Sequence, residues 1–227
     1  MNVKPIIPSP YNFDLSEIMS SLEAICKSGK ANAIHFDVLD KDFSDKNYDG
    51  LADLIKLKDL LLSYNMCADV HLVALEPLSY LNKIISLNLS LPIRVSAHIE
   101  SQSNLKEFAL KAKMNGISPG LAIKLQTPLP SNLNDYADFD YFHLICNNES
   151  AGLAQFQIEI YEKIKKIRTL IQNNSVPITL DCGVKEEHII EGKMSGANNF
   201  VMGSAIFKNE DPEKEFERLS EMSKFEM

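Results

Sequence analysis

Three things are scarce in this chain, and each scarcity narrows what it can be. Cysteine occurs four times, as Cys26, Cys67, Cys146 and Cys182, widely spaced and with no C-x-x-C pair. That excludes a disulfide scaffold and fits a reduced compartment. No run of about 18 apolar residues exists, so no membrane-spanning helix is expected. The opening Met-Asn-Val-Lys-Pro lacks the apolar core of a signal peptide, and a cytoplasmic location is the expectation. Basic residues are in the minority, 23 Lys and Arg against 31 Asp and Glu, a net charge of -8. This argues against a nucleic-acid partner. It does not count against a small anionic substrate, which feels local backbone donors and metals more than net charge. No linker rich in Pro, Gly or Ser, no low-complexity segment and no break in composition interrupts residues 1–227, which read as one domain.

What is present is a regular alternation. Strand-like runs fall at 3–8, 33–38, 67–73, 93–98, 121–125, 141–146, 177–181 and 200–202, and helix-like runs lie between them. The helices are expected at 14–28, 51–64, 76–87, 101–115, 128–136, 154–173, 185–195 and 212–223. Asp14 suits an N-cap, and Gly116 and Gly196 suit helix ends. Eight β-α units in 227 residues predict an α/β fold of the (β/α)8 TIM-barrel type. A doubly wound open sheet is the competing architecture, and it normally uses fewer strands for this length.

The most informative stretch is Ala33-Ile-His-Phe-Asp-Val-Leu-Asp40. Successive strand side chains point to opposite faces, so His35 and Asp37 share one face and Ile34, Phe36 and Val38 the other. An imidazole and a carboxylate held side by side can grip a metal or move a proton. In a barrel, such groups gather at the C-terminal strand ends. Those ends offer Ser9, His35 and Asp37, His71, His98 and Glu100, and Asp181. Two histidines and two aspartates from this set suit a divalent ion such as Zn²⁺, Mn²⁺ or Fe²⁺. Asp37 and Asp181 come from strands well apart around the ring. One can take a proton from a carbon beside a carbonyl while the other returns a proton to the opposite face, which inverts a stereocentre. An anion grip belongs after strands seven and eight, where Gly183, Gly203 and Ser204 can present backbone N–H groups. Lys124, at the end of strand five, has three readings: a rim lysine, a phosphate partner or a Schiff-base nucleophile. His143, between Phe142 and Leu144, reads as a satisfied core histidine, and His188 as a helix-surface residue.

Six motifs in order resemble the ribulose-phosphate 3-epimerase family, from about Ile6 to Phe207. Ile7-Pro-Ser9 is similar to its opening strand and His35-Phe-Asp37-Val-Leu-Asp40 to its H-x-D-V-M-D. Asp69-Val-His71-Leu is similar to D-x-H-L and Ser96-Ala-His98-Ile-Glu100 to S-x-H-x-E. Asp181-Cys-Gly183-Val184 resembles D-G-G-V, and Gly203-Ser204-Ala205-Ile206-Phe207 matches G-S-A-I-F. The resemblance implies a barrel isomerase of carbohydrate metabolism, in the pentose phosphate pathway, that interconverts D-ribulose 5-phosphate and D-xylulose 5-phosphate. It implies one divalent metal ion (Zn, Fe, Mn or Co) on His35, Asp37, His71 and Asp181. The two aspartates are the implied acid/base pair. A sugar phosphate is the implied ligand, met by Ser9, His71, Gly152, Gly183, Gly203 and Ser204. The family is commonly oligomeric, although no stripe in this chain marks an interface. Departures cluster in the loops. The family's glycine-rich N-P-G-F-G-G-Q after strand six reads Asn148-Glu-Ser-Ala-Gly152-Leu-Ala, its N-P-x-T-P reads Lys124-Leu-Gln-Thr127-Pro128, and Cys182 replaces a glycine. These changes allow a shifted sugar-phosphate substrate or a binding role without catalysis.

Overall fold

The computed structural model describes residues 2–148, 153–171 and 175–224. Eight strands form one parallel sheet: β1 (Ile6–Pro8), β2 (Ala33–Leu39), β3 (Cys67–Val73), β4 (Ile93–His98), β5 (Ser118–Lys124), β6 (Tyr141–Ile145), β7 (Ile178–Asp181) and β8 (Asn199–Met202). Hydrogen-bonded neighbours run from β2 to β8 in chain order and then to β1. The sheet curls until β1 lies against β2. At that seam Asn32 does the work of a ladder: its Oδ1 accepts from the Lys4 N–H at 2.8 Å and its Nδ2 donates to the Asn2 carbonyl at 2.9 Å. The architecture is the expected TIM-barrel type.

The helices surround the sheet: α1 (Leu15–Lys27), α2 (Gly50–Ser63), α3 (Pro77–Leu87), α4 (Leu105–Met114), α5 (Ile160–Ile171), α6 (Glu187–Ser195), α7 (Ser204–Phe207) and α8 (Pro212–Met222). Their apolar residues recur at helical spacing. In α1, Leu15, Ile18, Leu22 and Ile25 are buried, the Asp14 carboxylate caps the Ser16 N–H, and Lys27 suits the negative end of the helix dipole. In α2 the buried row is Leu51, Leu54, Leu57 and Leu61.

Parallel register decides what lies inside. Ile34, Phe36, Val38, Val70, Leu72, Val95, Leu121, Ile123, Leu144, Leu180 and Phe200 face the helices and belong to the main apolar core. The other strand face points into the barrel. There the register aligns His35 with Asp69, Asp37 with His71, and His71 with Ser96. It also aligns Ala122 with His143 and Thr179 with His143. Among the described residues, Val3, Ile7, Ala33, Cys67 and Val201 form a separate apolar cluster inside. Above it the interior is polar, whereas barrel interiors are usually filled by branched apolar side chains.

The middle layer is held by a buried ion pair. Arg94 Nε lies 2.7 Å from Asp69 Oδ1 and its Nη2 3.0 Å from Oδ2. The guanidinium also stacks on the Tyr141 ring, 4.5 Å from its centroid. Gly120 makes room for that ring, since a Cβ there would sit 2.2 Å from it.

Three elements differ from the sequence expectation. The 154–173 helix is replaced at its start by a strand, Leu153–Phe156, paired with Asn147–Asn148, and α5 begins only at Ile160. The 128–136 helix shrinks to a 3-10 turn, Leu133–Tyr136, because Pro128 and Pro130 cannot donate to a helical ladder. The loop after β2 contains a short strand, Tyr48–Asp49, antiparallel to Val38 and Leu39.

Two substitutions test this construction by urea unfolding. Arg94→Met leaves the buried Asp69 carboxylate with only the His35 N–H as partner, so a loss of about 3–5 kcal/mol is expected; a loss under about 1 kcal/mol would show that His35 or water makes up for the guanidinium. Gly50→Ala should normally favour a helix by about 1 kcal/mol. Here the new methyl would sit 2.1 Å from the Asp37 carbonyl oxygen, so a destabilisation of about 1–3 kcal/mol is expected. A stabilised Gly50→Ala protein would show that the α2 start can slide away from β2.

Candidate functional site

At the C-terminal end of the barrel, β2, β3, β6 and β7 bring their inward side chains to one point. His35 Nε2 lies 3.3 Å from Asp37 Oδ1 and 3.6 Å from Asp181 Oδ2. His71 Nδ1 lies 3.1 Å from the same Asp37 oxygen and 3.6 Å from the same Asp181 oxygen. All four residues expected from the sequence therefore meet. The two carboxylates do not stand apart across the mouth as their strand numbers suggested. The barrel is narrow enough for both to reach the same two imidazole nitrogens.

A fifth group joins them. His143 Nε2 lies 3.0 Å from Asp181 Oδ2, its Nδ1 lies 3.1 Å from Ser96 Oγ, and its ring stacks on His71 at a centroid distance of 4.3 Å. One donor atom each from His35, His71, His143 and Asp181 falls within 4.8 Å of the others, and all four residues are buried. His143 was read from sequence as a core histidine. It is buried and hydrogen-bonded, as that reading required, but it stands in the site. The available signal was the inward register of Tyr141, His143 and Ile145, which only the neighbouring strands reveal.

The donor set asks for a cation. Asp69, ion-paired to Arg94, is a carboxylate, so the His35 Nδ1–H donates to it at 2.8 Å. His35 Nε2 is then left facing Asp37 and Asp181. Burial opposes charge on His35, but Asp37 and Asp69 outweigh it and hold its pKa well above the ordinary value. Burial would likewise raise Asp37, yet His35 and His71 hold its carboxyl well below the usual range. Asp181 is also lowered against its burial, chiefly by His143 and His35. Burial pushes His143 down to about 4, helped by the charge of His71. Positive charge is wanted between these nitrogens and oxygens, and a proton or a metal ion answers the demand. Zn–N bonds of about 2.0–2.1 Å in a tetrahedron put donor atoms roughly 3.3 Å apart. The three nitrogens stand 3.0–3.6 Å from Asp181 Oδ2, close to that spacing, and the whole donor set lies within 4.8 Å.

Beneath Asp37, the α2 start approaches so closely that only glycine fits at position 50. Asp181 Oδ1 accepts from the Cys182 N–H at 2.6 Å. Cys182 has φ of 71° and Gly183 of 76°, so a non-glycine residue sits in the left-handed region beside the site. Ser9 lies at the β1 end, its N–H donating to the Met202 carbonyl at 3.1 Å. It packs so tightly on Gly203 that a Cβ at 203 would meet the Ser9 carbonyl oxygen at 2.8 Å. Gly203 leads into Ser204 at the start of α7. Lys124 Nζ lies over the Phe43 ring, 4.5 Å from its centroid. His188 is half-buried rather than a plain surface residue, its ring stacked on Phe156 at 3.7 Å. Gly152, with Glu149 and Ser150, lies outside the described residues, as does the middle of the loop after β6, residues 149–152.

Among the described residues no helix is long and apolar enough to cross a membrane. Among solved structures, the chain superposes on 3-hexulose-6-phosphate synthase from Salmonella typhimurium with a TM-score of 0.70 at 14% identity, covering 96% of this chain and 98% of that one. A tryptophan synthase α-subunit mutant from Pyrococcus furiosus gives 0.67 at 16% identity, covering 99% and 98%. These two similarities speak to the barrel alone. Sequence comparison is more specific. Ribulose-phosphate 3-epimerase from Buchnera aphidicola subsp. Acyrthosiphon pisum (strain APS) is 30% identical over 214 residues, 92% of this chain and 90% of that protein. The Escherichia coli (strain K12) protein of the same name is 28% identical over 225 residues, 96% of each chain. The profile of the Ribulose-phosphate 3 epimerase family matches residues 5–207, a span that contains every strand of the barrel and every residue of the His/Asp cluster. With barrel, site and sequence in agreement over nearly the whole length, the chain belongs to the ribulose-phosphate 3-epimerase family.

Proposed function

We propose that this chain is a metal-dependent isomerase that epimerises a ketose phosphate at C3, with D-ribulose 5-phosphate and D-xylulose 5-phosphate as the interconverted pair. The observation that carries the reading is the convergence of Asp37 and Asp181 on the same nitrogens of His35 and His71. The Asp37 and Asp181 carboxyls are both held low, so one stands ionised and accepts the C3 proton. The other first takes up a proton from solvent and delivers it to the opposite face of the resulting enediolate, so the step ends with the two protonation states exchanged. His35, His71 and Asp181 would hold a divalent ion, with Asp37 and His143 in reach of the same point. Bound there, the ion supplies positive charge against the oxyanion character that develops on the substrate. Ser9, Gly183, Gly203 and Ser204 at the strand ends, and Gly152 in the loop after β6, are the proposed substrate contacts. A reading as a sugar-phosphate epimerase with a shifted substrate, or as a binding protein, draws on the altered loop sequence after β6.

Metal analysis tests the centre. The purified chain should carry about one divalent ion, lost on His71→Ala, with binding weaker by roughly 10–100-fold or more. A metal-free chain that epimerises at full rate would refute the metal-dependent reading.

The reaction is tested in deuterated water with a panel of ketose phosphates. Solvent deuterium should enter C3 of D-ribulose 5-phosphate, and Asp37→Asn or Asp181→Asn should each slow this by roughly 10²–10⁴-fold. Exchange that survives both substitutions would remove the two-carboxylate mechanism. Exchange confined to another ketose phosphate would keep the mechanism and change the substrate.

A further inference from the structure

Behind His71, on the side away from the carboxylates, stands a second histidine. His71 Nε2 lies 2.9 Å from His98 Nε2, and His98 Nδ1 lies 2.9 Å from Glu100 Oε2. Both rings are buried. Glu100 is itself held: its Oε1 accepts from the Lys124 N–H at 3.0 Å, and the Thr127 hydroxyl donates to the carboxylate. The same loop is pinned from α5. Lys163, largely buried, gives its ammonium to the carbonyls of Lys124, Leu125 and Thr127, the last two at 3.0 and 2.6 Å. The Phe43 ring packs on His98 at a centroid distance of 5.1 Å.

Proton counting along this row is restrictive. An ionised Glu100 only accepts, so His98 Nδ1 carries a hydrogen. Two nitrogens facing each other at 2.9 Å share one proton. If His98 is neutral, its Nε2 is bare and His71 Nε2 must donate. His71 Nδ1, aimed between Asp37 and Asp181, is then the nitrogen that gives up its proton when a metal ion takes that place. If His98 holds both protons, the order reverses and His71 presents an N–H there instead. Complete burial of His98 disfavours the second proton. The first order also repeats what Asp69 does behind His35, where a carboxylate fixes one ring nitrogen and frees the other.

We propose that Glu100 and His98 are positioning residues that set the tautomer and ring orientation of His71, presenting a bare Nδ1 to the metal. The inference rests on the metal-dependent reading above. A carboxylate behind a ligating imidazole is a general device for orienting a ligand. Here the device is one imidazole longer, and it links the metal ligand to the loop after β5.

The test compares zinc affinity, by chelator competition, in the full chain and in His98→Leu, His98→Gln and Glu100→Ala, each checked for native circular dichroism. Nitrogen-resolved NMR of the histidine rings is recorded with and without zinc. His98→Leu should weaken zinc binding by about 10–100-fold. His98→Gln, whose amide oxygen can accept from the His71 Nε2–H, should recover most of that loss, and Glu100→Ala should fall between. The zinc-loaded spectrum should show hydrogen on His71 Nε2 and His98 Nδ1 only. A folded His98→Leu chain that binds zinc as the parent does would overturn the proposal, as would a doubly protonated His98 in the loaded protein. If the parent chain binds none of zinc, iron(II), manganese(II) and cobalt(II), the metal-dependent reading fails by itself. The metal-free spectrum then decides the relay: hydrogen on His71 Nε2 and His98 Nδ1 sustains it, and hydrogen on His98 Nε2 removes it.

Discussion

The interior of this barrel leans on one charge pair. Asp69 and Arg94 are both buried, and each would be strongly unfavourable alone. Together they fix the layer below the site. Arg94 reaches Thr179 on the opposite wall at 3.4 Å and stacks on Tyr141, and Gly120 leaves space for that ring. Asp69, once neutralised by Arg94, is free to orient His35 without adding net charge to the layer. The site above therefore stands on a rigid floor of electrostatic and packing constraints, not on an apolar plug.

Stability and chemistry are divided by the strand alternation. Residues at Ile34, Phe36 and Val38 bind the barrel to its helices, while His35 and Asp37, one residue away, face the interior. Parallel register then places the inward residues of neighbouring strands side by side, so Asp37 lies beside His71 and His71 beside Ser96. A slip by one residue would exchange the two sets completely. The apolar face guards the register, and the register delivers the polar inward face. Helix starts add local control, as where α2 abuts the Asp37 carbonyl at Gly50.

This division also explains what could be read from the sequence. The β2 pair, His71 and Asp181 were legible because period-two alternation and strand ends are local signals. His143 was not, because its partners Ser96 and Asp181 lie 47 and 38 residues away. Arg94 left no mark either: an arginine in an apolar run is interpretable only once Asp69 is seen across the β3–β4 ladder. The strand Leu153–Phe156 was read as helix for the same reason. Its geometry is imposed from a distance, by pairing with Asn147–Asn148 and by the Gln157 N–H on the Cys146 carbonyl at 2.8 Å.

The two halves of the site answer to different physical constraints. Donor groups on strands are held by ladder register, by the Asp69–Arg94 pair and by the row from His71 to Lys163, so changing one disturbs several others. In the loop after β7 it is the backbone that meets the site. Cys182 shows the difference: a side chain stands at φ of 71°, where glycine would be unstrained, and the N–H at that position still serves Asp181. On the proposed function, the reaction type would be written in the strands and the choice of substrate in the loops. The motifs in β2, β3 and β7 accordingly argue for proton transfer more strongly than the sequence after β6 argues for any one substrate.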